Sequence, residues 1–436
     1  MRSGLESRFE RYTDEMLKAL GHADRTTPAR RYLRGLMLPG QRKSVEPMAA
    51  RVHPQNVRSA HQSMHHLVAE SDWSDRAMLT AVAGAVVPVL SGAGSTRCFW
   101  IIDDTGVRKY GKHSVGVARQ YCGSLGKVDN CQVAVSLSLA TAEGSLPLDY
   151  RLYLPREWAD DKKRCKLAGV PQEITFATKG EIAWAQIQSA LAAGIPRGPV
   201  LTDAGYGDEA ALRDRLSEEG LTYAVGIRPA TAVWWEQHQP APAPDKPSRG
   251  RRRTRVRRDP AHQPISVLEL AQRLPASCYR TLTWREGTNA PLRSRFASVR
   301  VRAAQGNQPR TEEWLLIEWP RGEAEPTHYF LSTLPADISF KELVNTVKMR
   351  WRIEHDYREL KQEVGLGHYE GRNWRGYHHH ASLCIAAYGF LMLERLSGRK
   401  KNAARLKMPA LPEAFHPRGS HPDAKAYPVV HRHRAP

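Results

Sequence analysis

The chain has 436 residues, of which 41% are hydrophobic and 25% charged, values ordinary for a globular protein and long enough for two or three domains. No apolar run is long enough to span a bilayer, and residues 1–16 lack the apolar segment of a signal peptide, so we expect a cytoplasmic protein without a membrane partner. Lysine and arginine number 65 against 45 acids, a net charge of +20. Such an excess favours a polyanionic partner such as nucleic acid, although a generally basic proteome would produce it too.

Residues 1–97 have the pattern of a basic, helical region. Apolar residues recur at helical spacing from Leu5 to Leu20, and 56–70 continues that pattern. Prolines divide the region into short helices. A small basic helical region suits DNA docking, while a solvated helix surface explains the same pattern nearly as well.

Residues 98–230 predict a mixed α/β layer. The segment CFWIIDDTG, at 98–106, is an apolar run closed by acids, threonine and glycine, which predicts a strand that ends near Asp103. A second apolar strand is predicted to end at Asp203. The other predicted elements are strands at 131–140, 148–155 and 222–227 and helices at 179–194 and 208–219.

Residues 231–339 are predicted to form an insertion. Its first part, 236–262, is rich in proline and then arginine and has no apolar periodicity, which indicates a disordered loop. Short β-like runs between 278 and 333 indicate a β-rich subdomain. Residues 340–400 return to helix, with one helix at 340–363 and a mostly buried one at 379–396, and 401–436 form a basic tail.

Three acids occupy positions that suit metal-dependent chemistry on phosphates. Asp103 and Asp203 follow apolar strands, where a rigid backbone can hold side chains toward solvent. Glu354 lies on the predicted helix at 340–363. Carboxylates are the ligands that Mg²⁺ prefers, and two such ions, about 4 Å apart, can assist in-line displacement at phosphorus.

Cations surround the glutamate at helical spacing. Arg350, Glu354, Arg358 and Lys361 share one face of a helix because they are separated by four, four and three residues. Flanking cations keep a carboxylate ionised and can also contact phosphates. From the spacing alone, an exposed ladder of ion pairs is the simpler interpretation.

The chain resembles the bacterial insertion-sequence DDE transposases that carry the signature Y-x2-R-x3-E-x6-K. Arg350, Glu354 and Lys361 supply R-x3-E-x6-K, whereas Val347 stands in place of the tyrosine. The blocks IIDDTGVRKYGKHSVGVARQYCGSLGK, LTDAGYGD and WRIEHDYRELKQEVGLGHYEGR are similar to the branch whose first motif is D-[DE]-T-G. The resemblance covers roughly residues 28 to 395.

This resemblance implies an RNase H-like catalytic core interrupted by a β-rich insertion before the glutamate helix. It also implies that Asp103, Asp203 and Glu354 bind Mg²⁺ or Mn²⁺, and that a homodimer assembles on paired DNA ends in the nucleoid. Asp103 is preferred over Asp104 because the family allows glutamate at the second place. Glu359 is a weaker rival of Glu354 because it has no arginine four residues earlier.

Other residues are candidates for DNA contact. Lys109 and Lys112 follow the first acid and can reach phosphate, although a solvated loop is equally consistent with them. In relatives an aromatic residue of the insertion stacks on a flipped base, and Trp234 or Trp235 stands in that region, with burial in the core as the preferred alternative. His378, His379 and His380 resemble a metal cluster, but consecutive helical residues point about 100° apart.

The predicted function is cleavage at transposon ends followed by strand transfer into target DNA. Two alternatives remain open at this stage: an RNase H-like nuclease without strand transfer, and an inactive or domesticated copy that only binds DNA. Only the enzymatic interpretations require a divalent metal.

Overall fold

The structure, a computed structural model, describes residues 4–94, 96–235, 262–286, 291–305 and 308–401. The predicted loop at 236–262, except for His262, and nearly all of the predicted basic tail therefore lie outside the described residues. Among the described helices, none is long and apolar enough to cross a membrane.

Most of the five helices at the N-terminus pack against a long helix near the other end of the described chain. They are α1 (Gly4–Leu17), α2 (Thr26–Met37), α3 (Val45–Val52), α4 (Val57–Ala69) and α5 (Asp75–Leu90), and the long helix is α14 (Trp374–Lys401). The Tyr12 hydroxyl donates to the Ala386 carbonyl at 2.8 Å, and Arg8 holds Glu394 through two hydrogen bonds of 2.6 and 2.7 Å. Buried residues of the N-terminal helices and of α14 also belong to one hydrophobic core.

One mixed sheet forms the centre of the molecule. Its strands are β1 (Phe99–Arg108), β2 (Ala118–Cys122), β3 (Lys127–Ala140), β4 (Ser145–Leu152), β5 (Val200–Thr202), β6 (Tyr223–Ile227), β7 (Ala232–Trp234), β8 (Ile265–Ser266), β9 (Arg280–Glu286), β10 (Pro291–Gln305), β11 (Gln308–Glu318) and β12 (His328–Ser332). β1, β3 and β4 pair antiparallel, and β5 and β6 continue parallel to β1. The predicted mixed α/β class is confirmed, and the order β4-β3-β1-β5-β6 agrees with an RNase H-like core.

The β-rich insertion extends this sheet instead of forming a separate one. β12 pairs antiparallel with β6, and β11, β10, β7 and β8 follow in that order, while β9 pairs with β10. The core helices between the strands are α6 (Arg156–Ala159), α7 (Lys162–Leu167), α8 (Lys179–Ala192), α9 (Ala204–Gly207) and α10 (Ala210–Glu218), and α11 (Val267–Arg273) lies in the insertion. The predicted strands and helices of 98–230 are therefore present, with small shifts in their ends.

The prediction of a single helix at 340–363 is wrong in detail. The segment forms α12 (Phe340–Lys348), α13 (Trp351–Glu359) and a π-helical turn at Leu360–Val364. At the junction, Arg352 and Ile353 donate to carbonyls three residues earlier, so bonds of the 3₁₀ type replace the α-helical ones. This local tightening separates two helices that have one continuous apolar pattern.

Candidate active site

Two neighbouring parallel strands bring Asp103 and Asp203 to the same part of the sheet. In the β1–β5 ladder Trp100 is opposite Val200 and Ile101 is opposite Leu201. Continuing that register by two residues sets Asp103 opposite Asp203. The buried apolar residues that precede both acids fix this register, because they must remain in the core.

The prediction that Asp103 ends its strand is wrong, whereas Asp203 does follow the end of β5. β1 continues through Arg108 because β3 is long enough to pair with all of it, and Asp103 lies opposite Ser136 within the ladder. Asp203 instead precedes α9, and its Oδ1 accepts hydrogen bonds from the backbone amides of Gly205, at 2.9 Å, and Tyr206, at 3.4 Å. These amides fix the Asp203 carboxylate at the N-terminus of a short helix.

Glycines allow the Asp203 turn to lie against the neighbouring strand. A side chain at Gly207 would overlap the backbone carbonyl of Gly226 in β6, and a side chain at Gly226 would meet the backbone of Asp203 and Ala204. The close backbone approach of α9 to β6 therefore requires glycine at both positions.

Asp103 and Asp104 have different partners, as strand alternation predicts. Asp104 forms an ion pair with Lys179, the first residue of α8. The Asp103 carboxylate instead contacts the Arg350 guanidinium, with 3.4 Å between Nη1 and Oδ2. Asp104 is therefore already neutralised by a lysine, which leaves Asp103 as the acid next to Asp203 and the glutamate helix.

Arg350 links the third acid, Glu354, to Asp103. Its Nη2 lies 3.1 Å from Oε1 of Glu354, one helical turn along the chain, while Nη1 contacts Asp103. α13 packs against β1, β3 and β4, which holds the helix over the strand that carries Asp103. Glu354 keeps 60% of its side chain exposed, so its carboxylate remains accessible from solvent.

Burial and the neighbouring acids disfavour the ionised form of the Asp103 carboxylate. Burial raises the pKa of Asp103 to about 7, Arg350 opposes this shift, and the nearby carboxylates of Asp203 and Asp104 add to it. The buried Tyr206 hydroxyl lies beside the same acids, and its pKa is raised first by burial and then by their charges. A cation bound among these carboxylates would relieve the repulsion between them.

The predicted supporting cations are not equally close to the acids. Lys361, in the π-helical turn, donates to the carbonyl of Gly106 on β1 at 3.2 Å, and burial lowers its pKa. Arg358 is exposed on α13. Lys109 is partly buried and donates to the Tyr369 carbonyl at 2.6 Å, with its pKa lowered by burial to about 8, whereas Lys112 is exposed on the loop after β1.

Trp234 lies in the core, in agreement with the preferred interpretation of the sequence. It is 2% exposed on β7, where it pairs with Arg302 of β10. Trp235 is only partly buried and lines a cavity of about 360 Å³ together with Trp234 and Glu312. A stacking role for Trp234 would require its ring to leave the core.

Neighbouring acids and histidines have other partners. Both carboxylate oxygens of Glu359 are bound by Arg395, at 2.6 and 2.8 Å, so this rival of Glu354 holds α13 to α14. His355, Asp356 and Glu359 offer ligand atoms within 4.8 Å of one another, but the two bonds from Arg395 already occupy the Glu359 oxygens.

The histidines at 378–380 do not converge on one point. The His378 ring accepts a hydrogen bond from the Leu152 amide of β4, whereas the His380 ring is hydrogen-bonded to the Gly365 carbonyl.

Sequence patterns missed Lys179 and Tyr206 because neither forms a motif with the acids. The Thr178–Glu181 capping box predicts where α8 begins, and Lys179 follows its cap, but nothing local indicates that this lysine reaches Asp104 across 75 residues. Tyr206 lies three residues after Asp203, and its burial under the acids depends on the turn described above.

Two carboxylates at neighbouring strands of a mixed sheet and a third on the helix packed over them define a candidate phosphoryl-transfer site. Residues 15–291 match the family described as DDE superfamily endonuclease, and the chain belongs to this family. The DDE family predicted from the sequence motifs is confirmed, and the matched residues include Asp103 and Asp203, while Glu354 lies beyond them.

Two further similarities accompany the family match. The probable transposase for insertion sequence element IS701 of Microchaete diplosiphon is 34% identical over 170 residues, which cover 38% of this chain and 40% of that protein. The chain thus matches less than half of this relative's length. The cryo-EM structure of the piggyBac transposase synaptic complex with hairpin DNA aligns with 84% of this chain and 56% of that one, at 12% identity and a TM-score of 0.36.

Proposed function

We propose that the protein is a DNA transposase that cleaves DNA at transposon ends and joins the freed 3′ ends to target DNA. Membership of the DDE endonuclease family and the similarity to a probable insertion-sequence transposase support this proposal. The observation that carries it is the juxtaposition of Asp103 with Asp203 across parallel strands, with Glu354 joined to Asp103 through Arg350.

The chemistry of the donor set fits a hard divalent cation. All three proposed ligands are carboxylates, the type preferred by Mg²⁺ and Mn²⁺. The raised pKa of Asp103 reflects burial and neighbouring negative charge, both of which a bound cation would offset. When bound, such ions activate the attacking oxygen and stabilise the leaving oxygen at phosphorus.

The chain's own residues would position the carboxylates and orient the DNA. Asp203 is held by two backbone amides, Asp103 lies in a paired strand, and Glu354 lies on the accessible side of α13. Arg358 is exposed beside Glu354 and suits a phosphate next to the cut, whereas Lys361 lies deeper against β1.

DNA is the proposed partner, as transposon ends and as target, with assembly as a homodimer on paired ends in the nucleoid. The net charge of +20 supports a polyanionic partner of this kind. We also propose the division into residues 1–97, 98–230, 231–339, 340–400 and 401–436 as functional units, with the first region docking DNA.

The test is cleavage of DNA that carries the ends of the encoding element, with Mg²⁺ or Mn²⁺, by wild type and by Glu354→Gln. We expect specific nicking by wild type, loss of nicking in the variant, and unchanged DNA binding. Glu363→Gln is a matched control, because Glu363 is an exposed acid on the π-helical turn that follows α13. Wild-type protein that binds the ends but cuts with neither metal would leave only the DNA-binding interpretation.

The nuclease alternative differs at the second step. A transposase joins a pre-cleaved end with a 3′-hydroxyl to target DNA, and this product depends on the same three acids. Cleavage without any joined product, across both metals and with pre-cleaved ends, would favour an RNase H-like nuclease.

A further inference from the structure

A basic pocket lies beyond the end of β1, on the side of the molecule where the loop after Gly365 meets the N-terminal helices. Its volume is about 360 Å³, near the lower end of the ~300–1,000 Å³ range of small-molecule sites. Residues from three separate segments line it: Arg42, Lys109 and Tyr110 beside β1, and Arg372. The pocket is therefore built by tertiary structure and has room for about one nucleotide.

Positive charge exceeds negative charge around this pocket. Its one lining carboxylate, Glu370, is paired with Arg42. Within the described parts of the chain, neither Lys109 nor Arg372 forms an ion pair with a carboxylate, and Arg372 is exposed. The Lys109 ammonium is held by the Tyr369 carbonyl, which fixes its position at the pocket wall.

Tyr110 provides an aromatic surface beside these cations. It is 90% exposed, the highest value among the exposed large hydrophobic side chains of the described residues. The Arg108 guanidinium lies 5.1 Å from its ring centroid, so one face has a cationic neighbour and the rest of the ring is open to a ligand. Leaving a large aromatic ring in water gains nothing for folding, whereas rings next to cations are the platforms on which unpaired bases stack.

We infer that this pocket binds an unpaired nucleotide of a DNA strand that runs from the carboxylates along β1, with its base on Tyr110 and its phosphate near Lys109 and Arg372. Tyr110 follows Asp103 by seven residues, at most about 25 Å of extended chain, which is a span of a few nucleotides. Duplex DNA is too wide for a pocket of this volume, and its bases are not free to stack on a side chain. The inference rests on the proposed function, because it assumes that DNA is the substrate at Asp103.

The test compares full-length wild type, Tyr110→Ala, Tyr110→Phe and Tyr121→Ala in chelator, so that no cleavage occurs. Tyr121 is the matched control because it is 60% exposed on β2 and does not line the pocket. The probes are a blunt duplex and the same duplex with a single-stranded overhang that contains 2-aminopurine. We expect Tyr110→Ala to weaken overhang binding by about 5- to 150-fold, with little change for the blunt duplex. Tyr110→Phe and Tyr121→Ala should both bind like wild type, and 2-aminopurine quenching should disappear only in Tyr110→Ala.

Other outcomes overturn the inference in distinguishable ways. Equal weakening of both probes by Tyr110→Ala would identify a duplex-backbone surface, and no weakening would remove Tyr110 from DNA binding altogether. Strong competition by free thymidine monophosphate, with no overhang preference in wild type, would identify a site for a free nucleotide instead. Tyr110-dependent overhang binding by a protein that never cuts DNA would support the pocket while the proposed transposase function fails.

Discussion

Removing the guanidinium that bridges two of the acids should make the protein's stability depend more steeply on pH. In the structure Arg350 contacts both Asp103 and Glu354, and only the Asp103 carboxylate is largely buried, with 17% of its side chain exposed. Arg350→Gln deletes the positive charge and keeps a side chain capable of hydrogen bonding. The Asp103 pKa, already about 7, should therefore rise further.

The sign and size follow from the difference between the folded and unfolded pKa values. The folded pKa of Asp103 exceeds its ordinary value of 3.8, so the folded state holds its proton more tightly, and stability declines as the pH rises between these values. Loss of an adjacent opposite charge shifts a carboxylate by about 1–3 pKa units, at about 1.4 kcal/mol per unit. The variant should therefore lose an additional ~1.4–2.7 kcal/mol of unfolding free energy between about pH 7 and pH 9.

The assay is urea unfolding in chelator at about pH 6 and about pH 9, comparing wild type with Arg350→Gln. Arg358→Gln is the control, because Arg358 is an exposed cation on the same helix. Adding Asp103→Asn should abolish the extra pH dependence, since no proton remains to be bound. An Arg350→Gln effect of equal size at both pH values would refute the reasoning, because it would show that Arg350 does not control the Asp103 proton.

Three further predictions concern other parts of the molecule. Gly207→Ala should lower the unfolding free energy by about 1–3 kcal/mol, because the added methyl group would overlap the Gly226 carbonyl. Gly84→Ala is the control, because the space around that position is open. A calorimetric measurement in which Gly84→Ala is the more destabilising of the two would contradict this prediction. Trp234→Ala should cost about 3–5 kcal/mol by leaving a cavity, with DNA affinity per folded molecule unchanged; a selective loss of DNA binding would instead support base stacking. Burial lowers the pKa of His380 to about 4, so stability should fall by about 3 kcal/mol as the pH decreases from 6.5 toward 4, and a His380→Gln variant should lack that part of the pH profile.

Local patterns in the sequence predicted most of the elements around the candidate site. The apolar runs before Asp103 and Asp203 predicted buried strands, since such residues must be removed from water, and the spacing of Arg350 and Glu354 predicted that they share a helix face. Both features depend on residues close together in the chain. The motif resemblance added the family, which the match over residues 15–291 confirms.

Contacts between distant segments were decided only by the tertiary structure. β1 extends past Asp103 because β3 offers a partner along its whole length, and the insertion joins the main sheet because β12 pairs with the free edge of β6. The residues within each strand do not indicate which strand it will pair with, because its backbone hydrogen bonds can be satisfied by any suitable partner.

The ion pairs of the candidate site were also decided by the tertiary structure. The sequence alone determined that the protein is strongly basic, that its core is α/β, and which three acids are candidates for metal binding. Only the fold decided that Arg350 contacts Asp103 as well as Glu354, that Lys179 takes Asp104, and that Arg395 takes Glu359. The physical reason is that an ion pair depends on distances of a few ångströms between side chains, and for residues far apart in the chain the packing of strands and helices sets those distances.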